Sequence, residues 1–449
     1  MGMTPFQKKF FLLKIALGIM LFLVFFVRAS ITDDPDLGWH IAVGKWVVEN
    51  KAIPHGDIYS HTMPGFEWVD HEWLIETFMW WGKSHGVFWL VVLFFAVISF
   101  LPFAYWIKRS KSLSYLWVVS LVAIAMLSFV GTRPQTISIF LFFVFFELAR
   151  RKYAGAEPGA PRDSKKTLAY FWILPTIFFA WANLHAGVIN GLAVFAIFII
   201  AEYAPDWKNS LTLRNRDFLK DALLYFLCFT TTLINPYGWK IYELVFSAVL
   251  SPEAMNYLME WQSIFFISKG AFAPLMAFSI FLFLAFTYFG KYPRTLLSTS
   301  IILAALFMKT AKSGPHFFAA ALPLIELGDG YFREKIASAN RTAELTKKTR
   351  MISARVGTLL YAAIFISGTY FLTTYGSLAA SALSSGKLVS ALPEKALEAL
   401  RDKVRLGEIQ NLFNTYHFGG AMVLGAPEAK IFIDGRMAQW VDKDGDSAM

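Results

Sequence analysis

The chain has 449 residues, of which 56% are hydrophobic, 17% aromatic and only 16% charged, whereas soluble domains carry roughly 25% charged residues. Together with a mean hydropathy of +0.48, this composition excludes an ordinary soluble enzyme and indicates a helical membrane protein. We attribute the net charge of +10 to basic residues that orient the protein in the membrane rather than to nucleic-acid binding.

The first apolar segment, residues 10–27, follows Lys8 and Lys9 and is long enough to cross a hydrocarbon core of about 30 Å. It exceeds the apolar region of a signal peptide, so we interpret it as a retained helix that enters from the cytoplasm. Further apolar segments bring the predicted number of transmembrane helices to about eleven. These segments cover residues 87–107, 113–130, 134–149, 168–183, 187–203, 218–234, 271–289, 295–308, 315–327 and 356–375.

The basic residues fix the predicted orientation. With the N-terminus in the cytoplasm, most of the 42 Lys and Arg residues fall in cytoplasmic segments, as the positive-inside rule requires. The C-terminus and the segments 32–86, 235–270 and 376–449 are then extracytoplasmic. We therefore predict a transmembrane domain, residues 1–375, and a small extracytoplasmic C-terminal domain, residues 376–449.

The first outer loop, residues 32–86, is rich in Asp, His and Trp. Asp34 before Pro35 is typical of a helix N-cap, and a second helix is predicted after Asp70. Both helices are expected to be amphipathic and to lie near the membrane surface, with tryptophans at headgroup depth, joined by a structured loop over residues 53–69.

The C-terminal segment has a mixed pattern. A helix is predicted over residues 393–406, and short strands over residues 421–424 and 430–433. The fold class is thus an all-α polytopic membrane protein with a small α/β C-terminal outer segment.

Asp33 and Asp34 form an acidic pair at the outer end of the first helix. Two such carboxylates can hold a divalent cation, Mg²⁺ or Mn²⁺, or accept a proton from an acceptor. The alternative is that Asp34 caps a helix while Asp33 is solvated. Asp36 and His40 lie one helical turn apart on the same face of the predicted helix. They either line a cleft together or form a surface pair.

Other chemistries are poorly supported. His71 and Glu72 lack the second His, four residues on, of a zinc protease helix, and the sequence contains neither a Walker loop nor a dinucleotide-type Gly-rich turn. The single cysteine, Cys228, cannot form an intramolecular disulfide.

Eight short motifs occur in order along nearly the whole chain: DPDLGWH (34–40), WVDHEW (68–73), TRPQ (132–135), NLHAG (183–187), NPYGW (235–239), EWQS (260–263), YHFGG (416–420) and FIDGR (432–436). With the acidic pair after the first helix, they resemble the GT-C superfamily of membrane glycosyltransferases. More narrowly, the chain resembles a largely uncharacterised bacterial family of GT-C-like proteins. It departs from that family at Lys312, where Arg is usual, and it stops soon after Arg436, where relatives continue.

The resemblance implies a GT-C-like bundle in the inner membrane of a bacterium and transfer of a sugar from a polyprenyl-phosphate-linked donor to a glycan, lipid or protein acceptor. It also implies that an acidic residue of the first outer loop is the catalytic base or a metal ligand. The candidate catalytic residues are therefore Asp33, Asp34 and Asp36, of which Asp33 and Asp34 are also candidate metal ligands.

Candidate substrate-binding residues follow from predicted membrane depth and loop position. A lipid phosphate at the outer face needs cationic or donor groups at the ends of the spans, which Arg133, His185, Lys312 and His316 supply. His40, His71 and Glu72 belong to the acidic loop. Tyr237 and Glu260 either contact the sugar or acceptor, or only shape the second outer loop.

Two other function classes stay open at this point. A transporter or flippase of lipid-linked glycans typically shows inverted repeats and interrupted helices, and the sequence contains no convincing repeat. A non-catalytic scaffold could keep the fold and bind a partner with its outer segments.

Overall fold

The computed structural model describes residues 4–31, 34–153, 164–204, 216–250, 261–265, 271–339, 343–385 and 394–440. Sixteen α-helices lie in these ranges, and no β-sheet does. The helices are α1 (Pro5–Ser30), α2 (Leu37–Asn50), α3 (Trp73–Ser84), α4 (Phe88–Arg109), α5 (Leu113–Ala125), α6 (Pro134–Tyr153), α7 (Ser164–Ala182), α8 (Val188–Tyr203), α9 (Arg216–Thr232), α10 (Lys240–Leu250), α11 (Phe272–Thr287), α12 (Arg294–Lys309), α13 (Gly314–Ala339), α14 (Ala343–Ser385), α15 (Glu394–Arg405) and α16 (Tyr416–Gly425).

Each of the eleven predicted transmembrane segments coincides with a helix of the structure, namely α1, α4 to α9 and α11 to α14. By length and composition, three stretches can cross a membrane on their own: Pro5–Ser30, Phe88–Arg109 and Gly357–Leu383. Several others are shorter apolar helices. The helices are therefore confirmed, whereas the number of spans stays a prediction.

Aromatic side chains fill the centre of the bundle. Trp106 on α4, Phe145 on α6 and Trp181 on α7 are fully buried, and α1 packs against α4 and α14. The C-terminal end of α1 is held next to the start of α6, because the Thr132 hydroxyl donates to the Ala29 carbonyl oxygen over 3.0 Å. This contact brings the loop after α1 close to Arg133.

The structure corrects two expectations about α2. First, Asp34 does not cap it, because the helix begins at Leu37 and the Asp34 carboxylate instead accepts the Asp36 backbone N–H. Second, α2 is not a surface helix, since every residue from Leu37 to Gly44 is buried. It packs between α3 and α16. Its stripe of small and apolar residues therefore serves helix packing rather than the membrane interface.

The predicted strand over residues 421–424 is wrong: this stretch belongs to α16. A short apolar run has no period that distinguishes strand from helix, and here close packing decides. A Cβ on Gly38 would stand 2.1 Å from the Gly420 carbonyl oxygen, so two glycines let α2 and α16 touch through their backbones. In the predicted strand over residues 430–433, Lys430 and Ile431 form only isolated bridges, to Asn411 and Ser60 respectively. The helix predicted over 393–406 is confirmed as α15.

The C-terminal segment and the first outer loop share one hydrophobic core. Trp39 and Trp68 from the loop pack with Ile431, Ile433 and Trp440 from the C-terminal segment. This packing agrees with the prediction that both segments are extracytoplasmic with ten spans between them, and that topology stays a prediction. The boundary between a transmembrane and a C-terminal domain stays a prediction.

Candidate active site at the outer end of the first helix

The acidic loop after α1 is held by an ion pair. Arg133 Nε donates to Asp34 Oδ2, and the Asp36 backbone N–H donates to Asp34 Oδ1 over 3.0 Å. Arg133 directly precedes Pro134, the first residue of α6, so a helix start fixes the guanidinium position. Asp33 lies outside the described residues.

Asp36, like Asp34, is half-buried. Its Oδ1 accepts the Trp39 indole N–H over 3.1 Å. Burial, followed by the charge of Asp34, raises the pKa of Asp36 to about 7, although Trp39 and the nearby Arg133 oppose the shift. The site thus contains two neighbouring carboxyl groups with different partners: Asp34 is paired with a cation and Asp36 is hydrogen-bonded to an indole.

The Glu72 carboxyl group lies among three histidines and a second glutamate. We call this arrangement the Glu72 cluster; it consists of His40, His71, Glu72, Glu76 and His185. Glu72 Oε1 lies 3.3 Å from His185 Nε2 and 3.6 Å from His71 Nε2. Glu72 Oε2 lies 3.5 Å from His40 Nδ1, which also contacts Glu76 Oε1 at 2.7 Å. Three separate parts of the chain therefore meet at one carboxyl group.

Burial disfavours every charge in this cluster. It raises the pKa values of Glu72 and Glu76 well above the ordinary range, with further contributions from Asp70 and other carboxylates. It also lowers the pKa of His71 to about 4 and the pKa values of His40 and His185 well below the ordinary range. The imidazoles are thus neutral near pH 7, and a protonated Glu72 can donate a hydrogen bond.

Two cations flank the cluster. Arg133 is close enough for its charge to lower the pKa of His40, and Lys312 lowers the pKa values of His71 and His185. Lys312 Nζ lies 4.5 Å from the centre of the Trp261 ring. His316 follows on α13, with Nε2 3.4 Å from Asn190 Nδ2. The structure therefore gathers nine of the candidate residues around one site: Asp34, Asp36, His40, His71, Glu72, Arg133, His185, Lys312 and His316.

Tyr237 has a different role from the others. It is buried, its hydroxyl donates to the Pro54 carbonyl oxygen over 2.6 Å, and its ring packs edge-on against His55 at 5.0 Å. This hydrogen bond connects the second outer loop to the first. The contact agrees with the alternative in which Tyr237 only shapes the second outer loop. Glu260 lies outside the described residues.

Sequence reasoning missed two groups of buried ionisable side chains. One is Asp70 with Glu76, whose Oδ2 and Oε2 atoms are buried without a hydrogen-bond partner among the described residues. The other is Arg436, whose Nη1 donates to Asp57 Oδ1 over 2.9 Å and whose Nη2 donates to Asp434 Oδ2 over 2.7 Å. Two sequence signals indicate these groups. The FIDGR motif contains Asp434 and Arg436, and Glu72 and Glu76 are spaced one helical turn apart.

Two sets of side chains bring possible metal ligands within 4.8 Å of one another, and both include Glu72. In the set with His71 and His185, the Gly187 backbone N–H donates to His185 Nδ1 over 2.8 Å. A neutral imidazole that accepts at Nδ1 carries its proton on Nε2, the atom that faces Glu72. In this tautomer Nε2 lies 3.3 Å from Glu72 Oε1 and has no free lone pair for a metal ion. In the other set, His40 and Glu76 are joined by the 2.7 Å contact.

No protein-family model matches the chain, and no curated protein matches it. The fold, however, is similar to solved structures of the oligosaccharyltransferase of the archaeon Archaeoglobus fulgidus. The chain matches AglB in complex with an inhibitory peptide and a dolichol-phosphate with a TM-score of 0.62 and 10% identity, over 97% of this chain and 65% of that one. The apo form gives a TM-score of 0.55 at 12% identity, over 95% and 65%. The form tethered to an acceptor peptide with an NVT sequon gives 0.54 at 10% identity, over 94% and 64%.

The archaeal enzyme is a GT-C superfamily membrane glycosyltransferase. The present chain spans about two-thirds of its length, 65% in the best-covered match. At this level of identity the likeness establishes the fold and not the activity. The narrower resemblance to an uncharacterised bacterial family stays a prediction.

Proposed function

Starting from the GT-C fold of the chain, we propose that it is a membrane glycosyltransferase. It moves a sugar from a polyprenyl-phosphate-linked donor to an acceptor at the extracytoplasmic face of a bacterial inner membrane. The observation that carries the proposal is the Asp34–Arg133 ion pair, which joins a carboxylate to a cation at the outer end of α1.

Arg133 and Lys312 supply the positive charge for the donor phosphate. A guanidinium has five N–H donors in a planar fork and can contact a carboxylate and a phosphate together. His185 lies near Lys312, whose charge lowers the pKa of this histidine, and His316 follows Lys312 by four residues. Both imidazoles offer hydrogen bonds to the phosphate or the sugar. Each of these groups comes from the end of a helix or a short turn, where a lipid headgroup can reach it.

One apolar cavity has a wall that includes the start of α6. It lies within the bundle and is lined by Phe103, Met126, Val130 and Thr136, among others. The Thr136 backbone N–H donates to the Arg133 carbonyl oxygen over 3.0 Å, so the cavity wall and the cation belong to the same helix start.

The acidic loop provides the base. In an inverting transfer, a carboxylate takes the proton from an acceptor hydroxyl while the acceptor oxygen bonds to the sugar and the bond from sugar to phosphate breaks. Asp34 is our first assignment for this base, with Asp33 and Asp36 as its neighbours. Arg133 stabilises the negative charge that develops on the leaving phosphate. The Glu72 cluster forms the wall against which sugar and acceptor are held.

The proposal is tested by reconstituting the full chain in proteoliposomes with a panel of polyprenyl-phosphate-linked sugars and measuring the release of polyprenyl phosphate. We expect release by the wild type in the presence of an acceptor extract and none by the Asp34→Asn variant. Equal release by the wild type and by both the Asp33→Asn and Asp34→Asn variants would contradict the assignment of the base.

A further inference from the structure

Each carboxylate oxygen of Asp34 already accepts from a donor. Asp34 Oδ1 accepts the Asp36 backbone N–H, and Asp34 Oδ2 accepts from the Arg133 guanidinium. The Asp34 side chain is only 10% exposed. A cation such as Mg²⁺ or Mn²⁺ needs carboxylate oxygens that face an open space with room for water ligands.

The neighbouring carboxylate is engaged at one of its two oxygens. Asp36 Oδ1 accepts the Trp39 indole N–H, and the Gly435 backbone lies against the same oxygen, since a Cβ there would stand 1.8 Å away. Three of the four carboxylate oxygens of Asp34 and Asp36 therefore already accept from a donor.

The positive charge at this position is permanent. A guanidinium keeps its proton at all physiological pH values, and it matches a carboxylate better than an ammonium does. It lies directly on the oxygen that a metal ion would use, so binding of that ion would have to displace it against strong repulsion.

We propose that Arg133 is the built-in cation of this site, that it fills the position at Asp34 where a divalent metal ion would otherwise bind, and that Asp34 binds no metal ion in the wild-type chain. This assignment replaces the metal role expected for Asp34 from the sequence. It concerns ion binding and does not depend on the proposed glycosyl transfer. If that transfer occurs, its charge stabilisation comes from Arg133 and Lys312.

The test is a Mn²⁺ titration of the purified full chain in detergent, without lipid donor, followed by calorimetry or by the electron paramagnetic resonance of free Mn²⁺. Wild type and Asp34→Asn are expected to bind Mn²⁺ identically, because any ion held elsewhere is common to both. Arg133→Ala is expected to bind one more Mn²⁺ ion than the wild type, and the double variant with Asp34→Asn is expected to lose this additional site.

Two controls accompany the titration. Arg133→Lys keeps the charge and is expected to keep the site closed. Arg333→Ala removes a comparable ion pair, in which Arg333 Nε lies 2.9 Å from Asp329 Oδ2, and is expected to gain no site. Wild-type binding that weakens in Asp34→Asn would overturn the proposal, as would a folded Arg133→Ala variant without a new site. The comparison of wild type with Asp34→Asn remains decisive if Arg133→Ala does not fold.

Discussion

Gly435 lies directly against Asp36: a Cβ atom at residue 435 would stand 1.8 Å from Asp36 Oδ1. The two residues are separated by almost the whole chain, yet the C-terminal segment forms one wall of the acidic loop. This contact makes the final described residues part of the candidate active site.

We expect Gly435→Ala to destabilise the packing of the C-terminal segment on the first outer loop, because the added methyl group must displace Asp36 or the backbone. Such overpacking costs about 1–3 kcal/mol. Thermal unfolding in detergent measures the change. Gly376→Ala is the matched control, since a Cβ there meets nothing within 4 Å and alanine favours a helix. A Gly435→Ala variant as stable as the control would show that the close contact does not exist in solution.

Replacement of Arg436 is also expected to destabilise the folded protein. Its side chain and those of Asp57 and Asp434 are fully buried, so Arg436→Met leaves two carboxylates without a cation. Breaking a buried pair in this way costs about 3–5 kcal/mol. We expect a lower unfolding temperature and faster proteolysis of the C-terminal segment.

The control for Arg436 is Lys403→Met. Lys403 forms an exposed ion pair with Glu408 at 3.5 Å, and exposed pairs contribute about 0–1 kcal/mol. Equal effects of the two variants would contradict the view that the buried network holds the C-terminal segment in place.

Asp36 gives a prediction about pH. Its pKa is about 7 in the folded protein, against an ordinary value of 3.8. Between these two values the unfolded chain releases this proton while the folded chain keeps it, so the stability due to Asp36 falls as pH rises. The amide in the Asp36→Asn variant has no such proton. The stability of this variant relative to wild type should therefore rise between about pH 4 and 7, by at most about 1.4 kcal/mol per pH unit, and then level off.

Thermal unfolding of wild type and Asp36→Asn across this pH range measures the difference directly. The same exchange at the exposed residue Asp402 is the control, and its difference from wild type should stay nearly flat. A flat difference for Asp36→Asn as well would contradict the buried environment of Asp36.

Topology can be tested with the single native cysteine in place, because Cys228 is buried. New cysteines at the exposed positions Ala52, Lys111 and Asp402 are labelled in intact spheroplasts with a membrane-impermeant maleimide. We expect labelling of Ala52→Cys and Asp402→Cys, and labelling of Lys111→Cys only after the membrane is opened. Opposite accessibility of Ala52→Cys and Asp402→Cys would contradict the packing of the C-terminal segment on the first outer loop.

Much of the helical architecture follows from the sequence, because a long apolar run has few alternatives in a membrane. The site is also partly predictable. Asp34, Arg133 and His185 stand at the ends of predicted helices, and ends that face the same side of the membrane come together.

The remaining features depend on tertiary contacts that have no local pattern. Gly420 lets α16 lie against Pro35 and Gly38, and Gly419 lies against Ile433 and Asp434. Arg436 looks like a surface residue until Tyr59, Trp68 and Trp440 surround its guanidinium at 4.9–5.5 Å. Likewise, Asp34 has the spacing of a helix cap, but the ion pair with Arg133 determines its position.

The most direct test of the account is the binding of polyprenyl phosphate to the purified chain in detergent, measured for wild type, Arg133→Ala and Arg333→Ala. The loss of a charged hydrogen-bond donor to a phosphate costs about 1.5–3 kcal/mol, which is about a tenfold or greater loss of affinity. We predict saturable binding to the wild type and to Arg333→Ala, and binding weaker by at least about tenfold to Arg133→Ala. Equal affinity of all three proteins, or no binding to any of them, would contradict a donor site at Asp34 and Arg133.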